Sequence, residues 1–452
     1  MILILTFFFI TLFFFIEMKL FSLGLVLSFS VFCACWDVRS HMASSTPYDF
    51  RTSPLPDYPY QPPEGCTLVS VELLARHGSR YPTTDVWLQI TSLESLLNKY
   101  KDQLRVPWMK TWKNKIPLKS TGLLSELGIS EHQRLGQNFS TMFKSALSPY
   151  NPNVIRFRST HVSRTSQSGF AFGNGMNGFV DPDVIPEPVI PISKSAQDDI
   201  EMAYFNNCPR YEREVTNNET SKQEQKLWGK EQFPAVAARV EAITGIPKEE
   251  LIKDDNIYSM WRACNFDVLV FEKVDGWCSL FVEQDAVIFE YYYDLKKYYV
   301  SGPGIELSWK VSGALLYDIV TSLEKSAGEP QPDDYVPTAT LRFAHGETVV
   351  PLVTLLGLYS GDGKPLTHDW TMNEITNRIW KASAITPMAT NLAFAQYRCP
   401  NMGDGTYIEL FQNEKSTPVP GCNSNRLCEY STFKELYKDY ILTPDEFSNY
   451  CQ

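Results

Sequence analysis

The sequence predicts an α/β fold: a mixed, mostly parallel central sheet flanked by helices, with a smaller all-α cap inserted into it. Three observations predict it. Apolar runs at 67–75, 154–157 and 338–344 are each followed by a charged loop and then a helical pattern, and strands alternating with helices imply a parallel or mixed sheet covered on both faces. The stretch 190–300 lacks such runs and reads as polar helices. The 452 residues, 44% hydrophobic and 21% charged, suffice for a sizeable core of ordinary globular composition.

Residues 1–40 read as a targeting segment. Residues 2–16 are apolar apart from Thr6 and Thr11, a second apolar block runs from Leu20 to Phe32, and small residues follow at Cys33, Ala34, Cys35 and Ser40. From Met18 onward this is the pattern of a secretory signal; an uncleaved signal anchor is the other reading. The expected localisation is the secretory pathway, foremost secreted, with the lysosome or the endoplasmic reticulum lumen as alternatives. No membrane span is expected after signal cleavage.

Residues 41–65, rich in Pro, Ser, Tyr and Asp, read as an extended lead-in. The first part of the core is expected over 66–189, the helical cap over 190–300 and the second part of the core over 301–452. Thr84 and Asp85 cap a helix with apolar residues at Val86, Ile90, Leu93 and Leu97. A further helix is expected after Gly128, with Ser130 and Gln133 placed as a capping box. An apolar helix from Val349 to Leu358 follows His345-Gly346-Glu347. The tyrosines at 291–293 and 298–299 are read as packing residues.

Removing Cys33 and Cys35 leaves eight cysteines, an even number that suggests up to four disulfides in an exported chain. Eight cysteines allow 105 connectivities. The close pairs Cys264/Cys278 and Cys422/Cys428 are the safest local expectations, and Cys66 and Cys399 are further candidates. Asn138-Phe-Ser and Asn218-Glu-Thr are glycosylation sequons.

The net charge of −11 argues against nucleic-acid binding, which needs a basic footprint. An anionic ligand therefore needs a locally basic pocket. No Walker A, HExxH, EF-hand or C-x-x-C pattern occurs, so neither a metal nor a cofactor is expected. His132, His161 and His368 have no ligand-spaced partners and are read as structural, and His41 falls at the signal boundary.

In such sheets, ligand groups collect at the carboxyl ends of the strands, where all three charged loops lie. The first loop, Arg76-His77-Gly78-x-Arg80-x-Pro82, sets two guanidiniums around one imidazole. Arg forks match phosphate oxygens bidentately, and a neutral imidazole aimed at phosphorus is a nucleophile. Gly78 is expected to permit a tight turn and Pro82 to stiffen the exit. The arginines would stabilise charge on the equatorial oxygens of the transferring group.

The first loop resembles the RHGxRxP signature of the histidine phosphatase superfamily, in its acid phosphatase branch. Arg158-Ser159-Thr160-x-x-x-Arg164-Thr165 is similar to that branch's second pocket motif. The resemblance implies Arg158 in the phosphate site and leaves Arg164 as a structural partner. His345-Gly346-Glu347 is similar to the His-Ala-Glu of the multiple inositol polyphosphate phosphatases, departing only at Gly346, where ordinary acid phosphatases and fungal phytases have His-Asp. Further matches include Phe205-x-x-Cys208, Cys264-x-Phe266-Asp267 and Asp294-Leu295-Lys296-x-Tyr298, so that the resemblance runs from Cys66 to about Cys428.

The resemblance implies a metal-independent phosphomonoesterase acting on inositol polyphosphates such as phytate through a phosphohistidine. His77 is the expected nucleophile and Glu347 the proton donor. Arg76, Arg80, Arg158 and His345 are the expected phosphate-binding residues. Gly346 is expected to loosen the loop that aims Glu347. A broad-specificity histidine acid phosphatase, or a catalytically weak phosphate-binding surface protein, are the alternatives. The expected partner is a small anionic phosphorylated substrate, and the chain is expected to be a monomer or weak dimer.

Overall fold

The computed structural model describes residues 36–50, 60–148, 150–151, 153–176, 195–328, 336–424 and 426–452. The targeting segment expected over 1–40 falls mostly outside them. Residues Val38–Gln452 form one compact unit. Among the described residues, no helix is long and apolar enough to cross a membrane.

A seven-stranded mixed sheet in the order β2-β3-β1-β4-β5-β6, with β7 beside β5, forms the centre. β1 (Thr67–Arg76), β2 (Ile155–Ser159) and β3 (Ala339–Ala344) pair in parallel, β3 in the middle. β4 (Asn391–Arg398), β5 (Thr406–Gln412), β6 (Lys415–Thr417) and β7 (Leu427–Glu429) are all antiparallel to their partners. Parallel pairing is thus confined to the three strands that carry the charged loops, less than the sequence suggests. The reason is local. Asn413 and Glu414, at φ of 49° and 66°, close a two-residue turn between β5 and β6, and such a turn joins antiparallel strands without a crossover.

Val71 pairs with Ala339 and Arg76 with Ala344, so β1 and β3 end level. Their apolar residues are buried on both sides of the sheet, which is why these runs lack polar alternation. Helices α1 (Thr84–Lys99), α2 (Glu126–Met142) and α3 (Ser163–Met176) follow the first two strands. Leu135 and Phe139 of α2 and Phe172 of α3 join Phe157, Phe343 and Phe411 of the sheet in one core. The cap of α2 is Ser125, whose hydroxyl accepts from the Gly128 N–H, and not the expected Ser130, which lies inside the helix and donates to the Leu127 carbonyl.

Between α3 and β3 every described element is helical, including α4 (Gln223–Thr244), α5 (Asn256–Phe271), α6 (Glu283–Val300) and α7 (Gly313–Ala327). The aromatic run of α6 packs inward: Phe289 lies against Phe233 and Trp261, and Tyr291 against Trp228. The last helix of concern, α8 (Gly346–Leu355), leaves β3 directly through His345.

One expectation changes. Residues 38–50 are three short 3-10 turns, Val38–His41, Ala43–Ser45 and Tyr48–Phe50, and not an extended lead-in. They are held because Tyr48 is buried, its N–H donating to Glu131 and its hydroxyl to Glu414. Asn138 sits in the middle of α2 with its amide nitrogen, the atom a glycan would need, donating to Glu414 at 2.7 Å. Asn218 caps the 3-10 turn Glu219–Lys222, accepting from the Thr220 N–H.

Disulfides join Cys66 to Cys399, Cys264 to Cys278 and Cys422 to Cys428, and a fourth bond joins Cys208 to Cys451. The fourth closes a separation of 243 residues, which local spacing could not reveal.

Candidate active site

Level strand ends bring the loops together. The His77 N–H donates to the Ala344 carbonyl and the Ala389 N–H to the His77 carbonyl, so His77 is fixed between β3 and β4. His345 follows β3 directly, and the two imidazoles meet edge to face with centroids 5.7 Å apart. Thr160, just past β2, reaches His345 Nε2 with its hydroxyl at 2.9 Å.

Gly78 is required by packing rather than by an unusual turn. A Cβ there would lie 2.5 Å from the Gly128 carbonyl oxygen and 2.7 Å from Gly128 Cα. The loop therefore lies directly on the start of α2. Buried Glu131 of α2 ties it down, accepting from the Ser79 N–H at 2.7 Å and the Ser79 hydroxyl at 2.9 Å. The Gly78 N–H donates to Ser168 of α3. His132 of α2 contacts the Arg76 carbonyl through Nε2 at 3.0 Å.

His77 Nδ1 lies 2.9 Å from the Gly78 carbonyl. A carbonyl only accepts, so Nδ1 carries the proton and Nε2 keeps its lone pair. Burial, foremost, and then Arg76, Arg164 and Arg80 push the His77 imidazole well below its ordinary range, so it stays neutral. Burial and the same arginines, Arg164 first, push His345 down to about 3. His345 uses Nε2 on Thr160, while Nδ1 lies 3.4 Å from Arg164 Nη2.

Three guanidiniums surround the imidazole. Arg76 Nη1 donates to the carbonyls of Ser44 and Thr386, both at 2.6 Å, and Arg80 Nη1 to the Tyr81 carbonyl at 2.8 Å. The third is Arg164, and not Arg158. Nε of Arg76, Arg80 and Arg164 is buried without a protein partner in each case. Packing three cations together is unfavourable by itself: burial, then Arg164 and Arg76, lower the Arg80 guanidinium to about 9. The arrangement fits a polyanion.

Arg158 lies on β2, where Ile155, Phe157 and Ser159 turn into the core. Strand alternation therefore turns Arg158 to the other face. There it donates to Asp318 of α7 at 2.8 and 3.0 Å and pairs with Glu201. Asp318 also binds Arg342, which binds Glu72 at 2.6 Å. Two carboxylates engage Arg158, so it is not among the guanidiniums at His77. Arg164 opens α3 at the carboxyl edge of the sheet, and that loop-to-helix position is the signal that could have separated the two.

Glu347 lies in the first turn of α8. Tyr204 holds that turn by donating to the carbonyls of Thr348 at 2.8 Å and Glu347 at 3.2 Å, and Phe205 packs edge to face on His345. The Thr348 hydroxyl donates to the Met202 carbonyl at 2.6 Å. A Cβ at Gly346 would lie 3.0 Å from Thr386 Oγ1 and 3.4 Å from Arg76 Nε, so this buried residue is confined rather than loose. The Glu347 carboxylate lies 2.8 Å from Lys297 Nζ of α6, a partner that sequence reasoning missed. Lys297, foremost, with His345 and Arg76 behind it, holds the carboxyl well below the usual glutamate range. The pair lines a cavity of 240 Å³ together with Lys222 and Lys296.

A neutral imidazole with one free nitrogen, three guanidiniums and a carboxyl beside them suit phosphoryl transfer. The chain is 28% identical over 450 residues to multiple inositol polyphosphate phosphatase 1 of Dictyostelium discoideum, covering 86% of this chain and 69% of that protein. It is 27% identical over 430 residues to the Homo sapiens protein of the same name, covering 88% and 85%. Among solved structures it shares the fold of the phytase from D. castellii, with a TM-score of 0.72 at 18% identity over 90% of this chain and 86% of that one. It also shares the fold of the Bifidobacterium longum multiple inositol polyphosphate phosphatase in complex with inositol hexasulfate, with a TM-score of 0.68 at 17% identity over 90% and 99%. The model of the histidine phosphatase superfamily (branch 2) matches residues 67–413, a span that takes in the loops after β1, β2 and β3, and the chain belongs to that branch.

Proposed function

We propose that this chain is a phosphomonoesterase that hydrolyses inositol polyphosphates through a phosphohistidine, with Arg76, Arg80 and Arg164 binding the transferred phosphate. The observation that carries the reading is His77: its Nδ1 is committed to the Gly78 carbonyl, which leaves Nε2 with its lone pair on a ring kept neutral by burial and the nearby guanidiniums. The inositol hexasulfate bound by the Bifidobacterium longum relative supports the substrate class.

In the first step, the Nε2 lone pair forms a bond to phosphorus as the ester P–O bond breaks. The leaving inositol oxygen takes a proton from Glu347, because an alkoxide is a poor leaving group. The guanidiniums neutralise charge building on the three remaining oxygens. In the second step, the Glu347 carboxylate takes a proton from water, whose oxygen bonds to phosphorus as the N–P bond breaks. Inorganic phosphate leaves and the imidazole is restored. His345 braces Arg164 through Nδ1, and Thr216, Lys222 and α6 supply the far wall of the pocket.

The test is turnover of inositol hexakisphosphate beside 4-nitrophenyl phosphate, with acid-labile phosphoenzyme trapped on the way. Wild type is expected to turn over both, and His77→Ala neither. Turnover of the aryl ester alone would leave a general acid phosphatase. Phosphate binding without turnover would leave a binding protein.

A further inference from the structure

A proton donor must carry a proton, yet Glu347 is paired with an ammonium that favours its ionised form. The two partners differ in exposure. The Lys297 side chain is 8% exposed and that of Glu347 49%. The carboxylate thus looks into the 240 Å³ cavity, and the ammonium forms its wall beside Thr216, Lys222, Tyr293 and Lys296. Three ammonium groups against one carboxylate make the cavity cationic. It suits an anion larger than the single phosphate proposed to bind at His77.

The groups facing Glu347 come from several elements. Lys296, Lys297 and Tyr293 belong to α6, His345 follows β3, Arg76 and Arg80 lie at the β1 loop, and Arg164 opens α3. Tyr204 and Tyr211 present hydroxyls from the segment before α4. Of all these, Lys297 contributes most to holding the carboxyl ionised. It is also bound to Glu347 through a flexible four-carbon stem, which lets its head move without backbone rearrangement.

We propose that Lys297 is a positioning residue that couples proton delivery to a second phosphate on the substrate: a phosphate entering the lysine-lined cavity draws the ammonium away from Glu347. The freed carboxylate takes a proton from solvent and passes it to the ester oxygen as the P–O bond breaks. A substrate with one phosphate leaves the ion pair closed and Glu347 ionised. Polyphosphates are then preferred in kcat as well as in KM. This rests on the donor role of Glu347 given above.

The experiment records kcat against pH for wild type, Lys297→Met and Lys297→Arg on inositol hexakisphosphate, glycerol 2-phosphate and 4-nitrophenyl phosphate. The aryl ester needs no proton on its leaving group and serves as control for that step, the attack of water being common to all three substrates. In wild type, the fall of kcat with rising pH should begin at lower pH for glycerol 2-phosphate than for the inositol ester. Lys297→Met removes the ammonium, raises the carboxyl pKa, and should move the glycerol 2-phosphate fall upward by about one pH unit, a roughly tenfold gain on that limb. The same variant should raise KM for the inositol ester and move the fall of the aryl profile less than that of glycerol 2-phosphate. Lys297→Arg should restore the wild-type difference between substrates.

Coincident limbs for the two alkyl substrates in wild type would overturn the coupling, and that comparison needs no variant to fold. An unmoved limb in folded Lys297→Met would overturn it as well. Absence of turnover on all three substrates would instead remove the proposed function beneath it.

Discussion

Arg164 Nη2 lies 3.4 Å from His345 Nδ1, whereas Arg158, six residues earlier, is held by Asp318 and Glu201 on the other side of β2. The two arginines should therefore fail differently. Arg164→Ala is expected to lower kcat/KM by about 10²–10³, the usual loss for one donor to a charged transition state, with little change in Tm. Arg158→Ala removes a partly buried cation from Asp318 and Glu201, although Asp318 keeps Arg342, and should cost about 1–2 kcal/mol of stability, between an exposed and a buried pair. Its kcat/KM at a temperature where it remains folded should stay within about threefold of wild type. Parallel kinetics and thermal melts check both, and equal kinetic damage from the two changes would put Arg158 back beside the phosphate.

This pair also marks where sequence reading stops. The three loops were legible because each is a short local motif at the end of an apolar run, and parallel strands place such ends side by side. The choice between Arg158 and Arg164 depends on pleat and helix start. Phe157 points into the core, which turns its neighbour Arg158 to the opposite face of the sheet. Lys297 was hidden for another reason. It lies 50 residues from Glu347, and only the packing of α6 against the start of α8 brings the two together. The Cys208–Cys451 bond is of the same long-range kind.

Gly78→Ala tests the contact between the nucleophile loop and α2. The added methyl would meet the Gly128 backbone at 2.5 Å, where nothing but main chain can give way. The loop must lift, and His77 moves with it. A displacement of about 1 Å at reacting atoms can cost on the order of 10² in rate. The variant should lose at least that much kcat/KM and melt earlier. An active Gly78→Ala enzyme with unchanged Tm would show that the loop does not rest on Gly128.

His132 carries a pH prediction whose sign follows from burial. It is fully buried, and desolvation lowers its imidazole to about 4. The unfolded chain binds this proton near pH 6.5 and the folded chain does not. Below 6.5 the unfolded state therefore gains protons first, and stability falls with pH until about 4. The slope from this residue is about 1.4 kcal/mol per pH unit. His132→Gln should remove that slope, so the difference in unfolding free energy between wild type and variant should change by about 3 kcal/mol from pH 6.5 to pH 4. Chemical denaturation at several pH values measures it, and parallel curves would show that His132 is protonated in the folded protein.

Glu347→Gln separates proton donation from mere polarity at the same place. Glutamine keeps the shape but has no acidic proton to give. An inositol oxygen leaving without a proton carries full negative charge, so the alkyl ester should slow by about 10²–10⁴. A 4-nitrophenolate leaves readily, so in kcat/KM, which covers the steps up to loss of the alcohol and not the later attack of water, the aryl ester should slow far less. The substitution also leaves the Lys297 ammonium without its carboxylate, although that side chain is only 8% exposed. Burial without a counter-charge pushes an ammonium pKa down, and the fold should lose stability at neutral pH as a result. The two effects are independent: the ratio of alkyl to aryl rates reports the proton, and the melting temperature reports the ion pair. Equal loss of kcat/KM for both esters would remove Glu347 as donor even if the variant proved less stable, because a loss of folded enzyme lowers both values by the same factor.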